Sequence, residues 1–251
     1  AEVLDQPSPA ILMKACKTRE EVDNFRAAHV KDGAALCRFL HWIKTHVGKE
    51  PITELSAAAK LAAFRAQQPD FLDLSFDTIA GYGPHGAIVH YDPTPETDVP
   101  LHAEGLLLLD SGAHYRQGTT DVTRTIALGY VSEKMDKVYH TVLEAQLAGI
   151  AATKAGVTGK EMDAAARNVI NAAGFEGLFG HSYGHSLGLL IHEGPYANTR
   201  NDKPMPAGAV VSAEPGIYIP DEFGVRIEDV TVITETGCEI LTKSPKNLII
   251  L

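Results

Sequence analysis

Apolar residues recur at helical spacing from Thr18 to Val47, where Val22, Phe25, Ala28, His29, Leu36, Phe39, Leu40 and Ile43 fall on one face. Glu20 and Glu21 load the first turn and Gly48 ends the run, so this segment reads as one long helix. Thr53 with Ser56 opens a second, Ala-rich helix to about Gln67, and Pro69 closes it. From Phe71 the pattern shortens to apolar runs broken by Gly and Pro. These predict strands over Ser75–Ile79, Ala87–Tyr91, Gly105–Asp110 and Thr120–Leu128. Helical spacing returns over Ser132–Lys154 and Gly159–Ala172, the latter ended by Gly174. Strand-like runs follow over Leu187–His192, Val210–Glu214, Gly224–Thr234 and Ile240–Leu241. Residues 1–16 read as an extended lead-in.

Helices, strands, helices, strands is the order of an internal repeat. Gly86-Ala-Ile-Val-His90-Tyr-Asp-Pro93 resembles Gly188-Leu-Leu-Ile-His192-Glu-Gly-Pro195, and Leu107-Leu-Leu-Asp110-Ser-Gly112 resembles Val211-Ser-Ala-Glu214-Pro-Gly216. Each half continues to an Asp-Val-Thr, at 121–123 and 229–231, which leaves the acids Asp121 and Glu228 one register apart. The repeat predicts a pseudo-twofold α+β domain with helices packed outside a curved antiparallel sheet. A ligand site is expected where the halves meet. No low-complexity linker divides the chain, so residues 1–251 read as one domain.

Composition narrows the function classes. The 251 residues carry 22 basic and 32 acidic side chains, a formal net charge of −10. That balance argues against a nucleic-acid or anionic-membrane partner. Apolar runs such as Leu106–Leu109 are far too short to span a bilayer, and no signal peptide is visible. Cys16, Cys37 and Cys238 are too few and too scattered for a disulfide framework, so a reduced, cytoplasmic setting is expected. The chain opens Ala1-Glu2-Val3-Leu4 without Met, which suggests a processed or truncated product. The 11 histidines are the one surplus.

Several of those histidines stand among acids in Gly-rich segments. Asp110 ends a run of leucines, and Asp121 follows a turn around Gln117-Gly118, so a hairpin can bring the two carboxylates together. Like charges that close call for a cation or a proton between them. The alternative is a pair of solvated loop acids. His181, His185 and His192 crowd into one Gly-rich stretch, without the His-Glu-x-x-His spacing of a zincin helix. Glu214 closes the strand Ala209-Val-Val-Ser-Ala213, and Arg226 and Glu228 stand two apart on one strand face. Arg226 is then either a salt-bridge partner of Glu228 or a substrate contact. Together, Asp110, Asp121, Glu214, Glu228 and one imidazole form a coherent ligand set for two divalent ions, with Mn, Co, Fe and Zn all compatible. Such a pair holds a hydroxide nucleophile and polarises a carbonyl.

At these residues the chain resembles the pita-bread metallopeptidases, and among them the aminopeptidase P (Xaa-Pro aminopeptidase) branch. The likeness runs from about Lys17 to the C-terminus. It is carried by Phe71-Leu-Asp-Leu-Ser-Phe-Asp-Thr-Ile79, by Gly83-Pro-His-Gly-Ala-Ile-Val-His90-Tyr91 and by Leu109-Asp-Ser-Gly-Ala-His-Tyr-Arg-Gln-Gly-Thr-Thr-Asp-Val-Thr-Arg-Thr125. The resemblance implies a metallo-aminopeptidase with two divalent ions, Mn first, that cleaves the N-terminal Xaa-Pro bond of peptides through a metal-bridging hydroxide. It implies that Asp110 binds one metal, that Asp121 and Glu228 bridge both, and that His185 and Glu214 complete the second. Glu214 is also the implied general base. His90 is implied near the leaving group, and His181 and His192 along the proline-side pocket. Arg226 matches the residue that separates the proline-specific branch from methionine aminopeptidases. Ser182-Tyr183-Gly184 and His185-Ser-Leu-Gly188 depart from the family's usual Gly-Thr-Gly and His-Gly-Val-Gly, which leaves pocket preference open. Aminopeptidase P enzymes also carry a leading domain, absent here, so a homo-oligomer or a missing N-terminal domain is expected. Alternatives are an Xaa-Pro dipeptidase, a methionine aminopeptidase or a creatinase-type enzyme on this fold, or a non-catalytic binding module.

Overall fold

A computed structural model describes residues 8–250. Its helices are α1 (Pro9–Ala15), α2 (Arg19–His46), α3 (Glu54–Ala66), α4 (Glu133–Ala152) and α5 (Gly159–Ala172). Side-chain caps fix where the main helices begin. Thr18 pairs reciprocally with Glu21, Thr53 with Ser56 and Thr158 with Glu161, while Ser132 accepts from Met135 N. Each such cap contributes about 1 kcal/mol.

The strands are β1 (Phe71–Leu74), β2 (Ile79–Tyr82), β3 (Leu106–Ser111), β4 (Ala113–Tyr115), β5 (Gly118–Thr119), β6 (Val122–Ala127), β7 (Gly184–Ser186), β8 (Glu193–Ala197), β9 (Val210–Ala213), β10 (Gly216–Ile219), β11 (Phe223–Arg226), β12 (Asp229–Ile233) and β13 (Cys238–Ile240). Every ladder between them is antiparallel, though the strands divide into four sheets rather than one continuous surface. Two long hairpins organise them. In the first half β3 and β4 run against β6 and β5, from Leu106↔Ala127 to Tyr115↔Gly118. In the second half β9 and β10 run against β12 and β11, from Val210↔Val232 to Ile219↔Phe223. A further strand docks alike on each hairpin, β2 on β3 and β7 on β9. This is the pseudo-twofold α+β architecture that the repeat foretells.

Each hairpin has its own helix pair. Leu107 and Leu109 of β3 pack with Leu36, Phe39 and Ile43 of α2 and with Leu61 of α3. Val211, Ala213 and Ile217 pack with Val138 and Val142 of α4 and with Met162 and Ala166 of α5. Because side chains alternate along a strand, Asp110 and Ser212 point away from those helices, toward the other half.

Four sequence expectations need correction. Residues 9–15 are helical rather than extended: Ser8 caps the helix and Pro9 sits in its first turn, where a missing N–H costs nothing. The expected strand Ser75–Ile79 is a crossing segment between β1 and β2. Ser75 N donates to Gly112 O and Ser75 Oγ to Thr120 O, so the chain changes partner there. The expected strand Ala87–Tyr91 is instead a 3-10 turn at Gly83–Ala87 followed by turns, with Gly83 at φ +55° and the backbones of Gly86 and Gly224 in contact. The expected strand Leu187–His192 is a bent loop closed by Gly188 N to Leu190 O and Leu190 N to Glu193 Oε1. Apolar runs gave the last two false strand signals, and each of those two irregular segments carries a candidate histidine.

Candidate metal centre

The two hairpins meet at β6 and the β11–β12 junction. Glu228 N donates to Thr123 O at 3.1 Å, and Thr125 Oγ1 donates to Arg226 O at 2.9 Å. Around this seam the fold gathers Asp110 from β3, Asp121 just ahead of β6, His185 from β7, Glu214 just past β9, and Glu228 just ahead of β12. Asp110, Asp121, His185 and Glu228 are all buried, and the Glu214 side chain is 15% exposed.

Donor atoms from Asp121, His185 and Glu228 lie within 4.8 Å of one another. His185 Nε2 stands 3.6 Å from Asp121 Oδ2 and 3.3 Å from Glu214 Oε1. His185 Nδ1 lies 3.1 Å from Ser186 O, so it carries the proton and leaves Nε2 as a lone pair aimed at the acids. Asp110 Oδ1 and Glu228 Oε1 are buried and find no hydrogen-bond partner among the described residues. Unpartnered buried carboxylate oxygens beside a free imidazole nitrogen are the donor set of a divalent-cation site.

Electrostatics agree. Burial, then the charges of Asp110 and Glu214, hold Asp121 well above the ordinary carboxylate range. Burial, then Asp121, Glu214 and Asp110, does the same to Glu228. Burial pushes Glu214 up to about 8 against the opposing pull of Arg226. Asp121, Glu214 and Glu228, buried beside one another without a cation, resist ionisation.

Among the described residues, Arg226 is the one guanidinium that hydrogen-bonds a carboxylate of these acids. Its Nη2 donates to Asp110 Oδ2 at 2.7 Å, Nη1 to Tyr218 Oη at 2.8 Å and to Val89 O at 3.2 Å, and Nε to Thr123 Oγ1 at 3.1 Å. It is therefore paired with Asp110 rather than with Glu228. Burial opposes its charge, but Tyr218, Asp110 and Glu214 raise it above its usual value.

The remaining histidines divide by partner. His181 Nδ1 lies 2.8 Å from Ser182 O and Nε2 lies 2.6 Å from Tyr218 Oη. The carbonyl can only accept, so Nδ1 carries the proton, Tyr218 donates to Nε2, and Arg226 donates to Tyr218. Burial, reinforced by Arg226, drops His181 to about 3, so this ring is neutral at neutral pH. His192 is exposed, with its ring in edge contact with His185 at 4.3 Å. His90 is exposed beyond the 3-10 turn and acts electrostatically on both His181 and His192. Neither His90 nor His192 has a side-chain hydrogen bond among the described residues. The contacts above link eight of the nine candidate positions around one seam; His90 makes no hydrogen bond, ion pair or ring contact with the others among the described residues.

Sequence reasoning missed three supporting residues. Tyr218 joins Arg226 to His181, Thr123 Oγ1 donates to Glu228 Oε2 at 2.8 Å, and Ser212 Oγ donates to Glu214 Oε1 at 3.0 Å while accepting from His185 N. Ser212 and Glu214 share a strand face with period two, which was the available signal.

Comparison with known proteins agrees with this geometry. The chain is 38% identical over 248 residues to a probable Xaa-Pro aminopeptidase P of Laccaria bicolor, covering 96% of this chain and 37% of that one. It is 40% identical over 253 residues to the uncharacterised peptidase YqhT of Bacillus subtilis, covering 100% and 69%. It thus spans little more than a third of the first relative and about two thirds of the second. An Xaa-Pro dipeptidase structure from Bacillus anthracis superposes with a TM-score of 0.89 at 38% identity, covering 96% of this chain and 66% of that one. An X-prolyl aminopeptidase structure from Caenorhabditis elegans, described as a cytosolic enzyme with a di-nuclear active site, superposes with a TM-score of 0.86 at 31% identity, covering 96% and 42%. The pattern of metallopeptidase family M24 matches residues 23–235. The chain belongs to metallopeptidase family M24.

Proposed function

We propose that this chain is the catalytic unit of a dinuclear-metal aminopeptidase that releases the N-terminal residue from peptides whose second residue is proline. The observation that carries this reading is the buried set Asp110, Asp121, His185, Glu214 and Glu228, with two carboxylate oxygens unpartnered and the His185 lone pair aimed among them. Asp110 would hold one ion, Asp121 and Glu228 both, and His185 with Glu214 the second, Mn being the first choice among Mn, Co, Zn and Fe. When bound, the ions supply an acidified bridging water and polarise the scissile carbonyl.

The protein's own groups do the rest. Glu214, its Oε1 3.3 Å from His185 Nε2, is the carboxylate placed to take up the proton released on attack. Ser212 keeps its Oε1 turned toward His185. Arg226 fixes Asp110 through one nitrogen and Tyr218 through another, so the metal-binding acid and the His181 side are set by one rigid fork. His181 lends the proline-side wall a neutral ring whose two nitrogens are both engaged. His90 and His192 keep ring nitrogens free, and so are the groups able to give a proton to the departing proline nitrogen.

No helix among the described residues is long and apolar enough to cross a membrane, and the three cysteines are free. We place the enzyme in the cytoplasm, acting on peptides, with a further domain or a second copy bordering the cleft. The likeness to a structure named as an Xaa-Pro dipeptidase favours one second reading, the same chemistry on dipeptides. Two measurements decide. Metal analysis should give close to two divalent ions per chain, and Asp121→Ala should lose them; retention of both ions by that variant defeats the assignment. Turnover should favour Xaa-Pro-Yaa peptides. Preference for Xaa-Pro alone selects the dipeptidase, and preference for Met-Ala peptides overturns both.

A further inference from the structure

Residues 178–183 approach β7 as irregular chain outside any ladder, yet they deliver His181 and lead into His185. Helix α5 holds them. Asp163, 1% exposed, and Arg167, one turn later, form a two-pronged ion pair with Nε–Oδ1 at 2.7 Å and Nη2–Oδ2 at 3.0 Å. The same guanidinium donates to Phe179 O at 2.6 Å and to His181 O at 2.9 Å. Asp163 Oδ2 accepts from Tyr183 N at 3.1 Å. The pair therefore grips residues 179, 181 and 183, every second residue of a segment that has no strand partner there. Arg167 also lies over the Phe179 ring at 4.1 Å, and that ring meets His181 edge-on at 4.9 Å.

We infer that Arg167 is a positioning residue for the proline-side wall of the cleft, an inference that rests on the peptidase reading above. It fixes the backbone of His181 while Tyr218 fixes the ring. Neither Asp163 nor Arg167 touches a candidate metal ligand: Arg167 holds the backbone of Phe179 and His181, whereas Asp163 reaches Glu214 only at one remove, through Tyr183, whose O accepts from Glu214 N. Lysine cannot replace the guanidinium, because its single ammonium cannot span a carboxylate and two carbonyls in one plane. A cavity of about 520 Å3, lined by Asp163, Arg167, Phe179, Gly180, His181 and Ser182 among others, opens beside the pair. A small guanidinium can enter there.

The test uses the metal-loaded protein with Arg167→Lys and Arg167→Ala. Both should retain two ions per chain, and both should lose about tenfold or more in kcat on Xaa-Pro-Yaa peptides, the scale of a misplaced supporting contact. Methylguanidine should restore part of the Arg167→Ala activity, whereas urea, of similar shape but uncharged, should not. In 15N-histidine NMR of the Zn2+-loaded protein, the His181 ring signals should move in both variants while those of His140, exposed on α4, stay put. Full activity in both variants, loss of metal in step with activity, or a loss that methylguanidine leaves unrepaired would overturn the inference. If the wild-type protein turns over no Xaa-Pro-Yaa peptide, the peptidase reading fails by itself. The His181 signals then still decide whether Arg167 positions that ring, and unmoved signals sink the inference.

Discussion

Gly149 lies inside α4, where glycine is about 1 kcal/mol less favourable than alanine, so propensity alone makes Gly149→Ala stabilising. The structure reverses that expectation. A Cβ at Gly149 would fall well inside van der Waals contact of Tyr183 Cζ, Cε2 and Oη. Tyr183 is fully buried and cannot swing aside, because its N donates to Asp163 Oδ2 and its O accepts from Glu214 N at 2.9 Å. Overpacking of this kind costs about 1–3 kcal/mol. With contacts this close the upper half of that range applies, and after the helix gain the net loss is about 1–2 kcal/mol. At this chain length that lowers the melting temperature by about 2–8 °C. In a Tyr183→Ala background the obstruction is gone, and the same Gly149→Ala change should stabilise by up to about 1 kcal/mol. Urea unfolding of the four proteins in the double-mutant cycle should give a coupling of about 2–3 kcal/mol with a change of sign. Stabilisation by Gly149→Ala in both backgrounds would refute the packing argument. Tyr183→Phe should not relieve the clash, since the ring carbons remain.

Removing metal should make stability fall with rising pH. Asp121, Glu228 and Glu214 have folded-state values above their unfolded ones, so their contribution is complete below the unfolded carboxylate value and is lost as pH climbs through the folded values. For Glu214 that window runs from its ordinary 4.5 to about 8. Melting of chelator-treated protein should drop across that window, and Mn2+ should recover most at its upper end; a recovery independent of pH contradicts the assigned acids. His29 has the opposite sign. Burial lowers it below 6.5, its Nδ1 meets Phe25 O at 2.8 Å and its Nε2 is unpartnered. Its contribution is full above the unfolded value and is lost as pH falls below it, by up to about 1.4 kcal/mol per pH unit. His29→Gln should flatten that acid slope, and an unchanged slope excludes His29 as its source. Thr123→Val removes the donor to Glu228 Oε2 and the acceptor of Arg226 Nε, so calorimetric Mn2+ affinity should weaken about tenfold. Equal affinity would mean that Thr123 does not orient Glu228.

The helices were legible because periodicity and caps agree: Thr18, Thr53, Ser132 and Thr158 cap where the apolar stripe begins. Asp110 and Glu214 were legible because each closes a run too apolar to leave an acid unpartnered. Strand assignment failed where apolar residues serve something other than a ladder. Leu189 and Leu190 are 81% and 67% exposed on a loop, and Ile88 follows a glycine-driven turn. Tyr218 and Thr123 were illegible for another reason. Their roles arise from contacts that only folding creates, such as Thr123 with Glu228 across 105 residues. Arg167 had a visible i,i+4 partner in Asp163, but the carbonyls it grips lie on a segment with no period at all.

The register of the two hairpins explains why the repeat matched imperfectly. Counting rungs from Leu106↔Ala127 and from Val210↔Val232, Asp110 and Glu214 fall on the same rung, and so do Gly112 and Gly216. On the returning arms Thr123 matches Glu228 and Asp121 matches Arg226. The offset between the acids Asp121 and Glu228 is therefore two residues rather than one. A shift of one would have turned a carboxylate to the opposite face, whereas two keeps both on the shared face. The asymmetry also has an electrostatic reason. Matching positions Thr123 and Glu228 meet at the seam, where Thr123 Oγ1 donates to Glu228 Oε2 at 2.8 Å. A symmetric repeat would place two carboxylates at that distance with no donor between them, and would put a second acid where Arg226 now reaches Asp110. The offset instead supplies a hydrogen-bond donor on one rung and a cation on the next. Two matching hairpins thereby yield a clustered but unequal set of acids around His185.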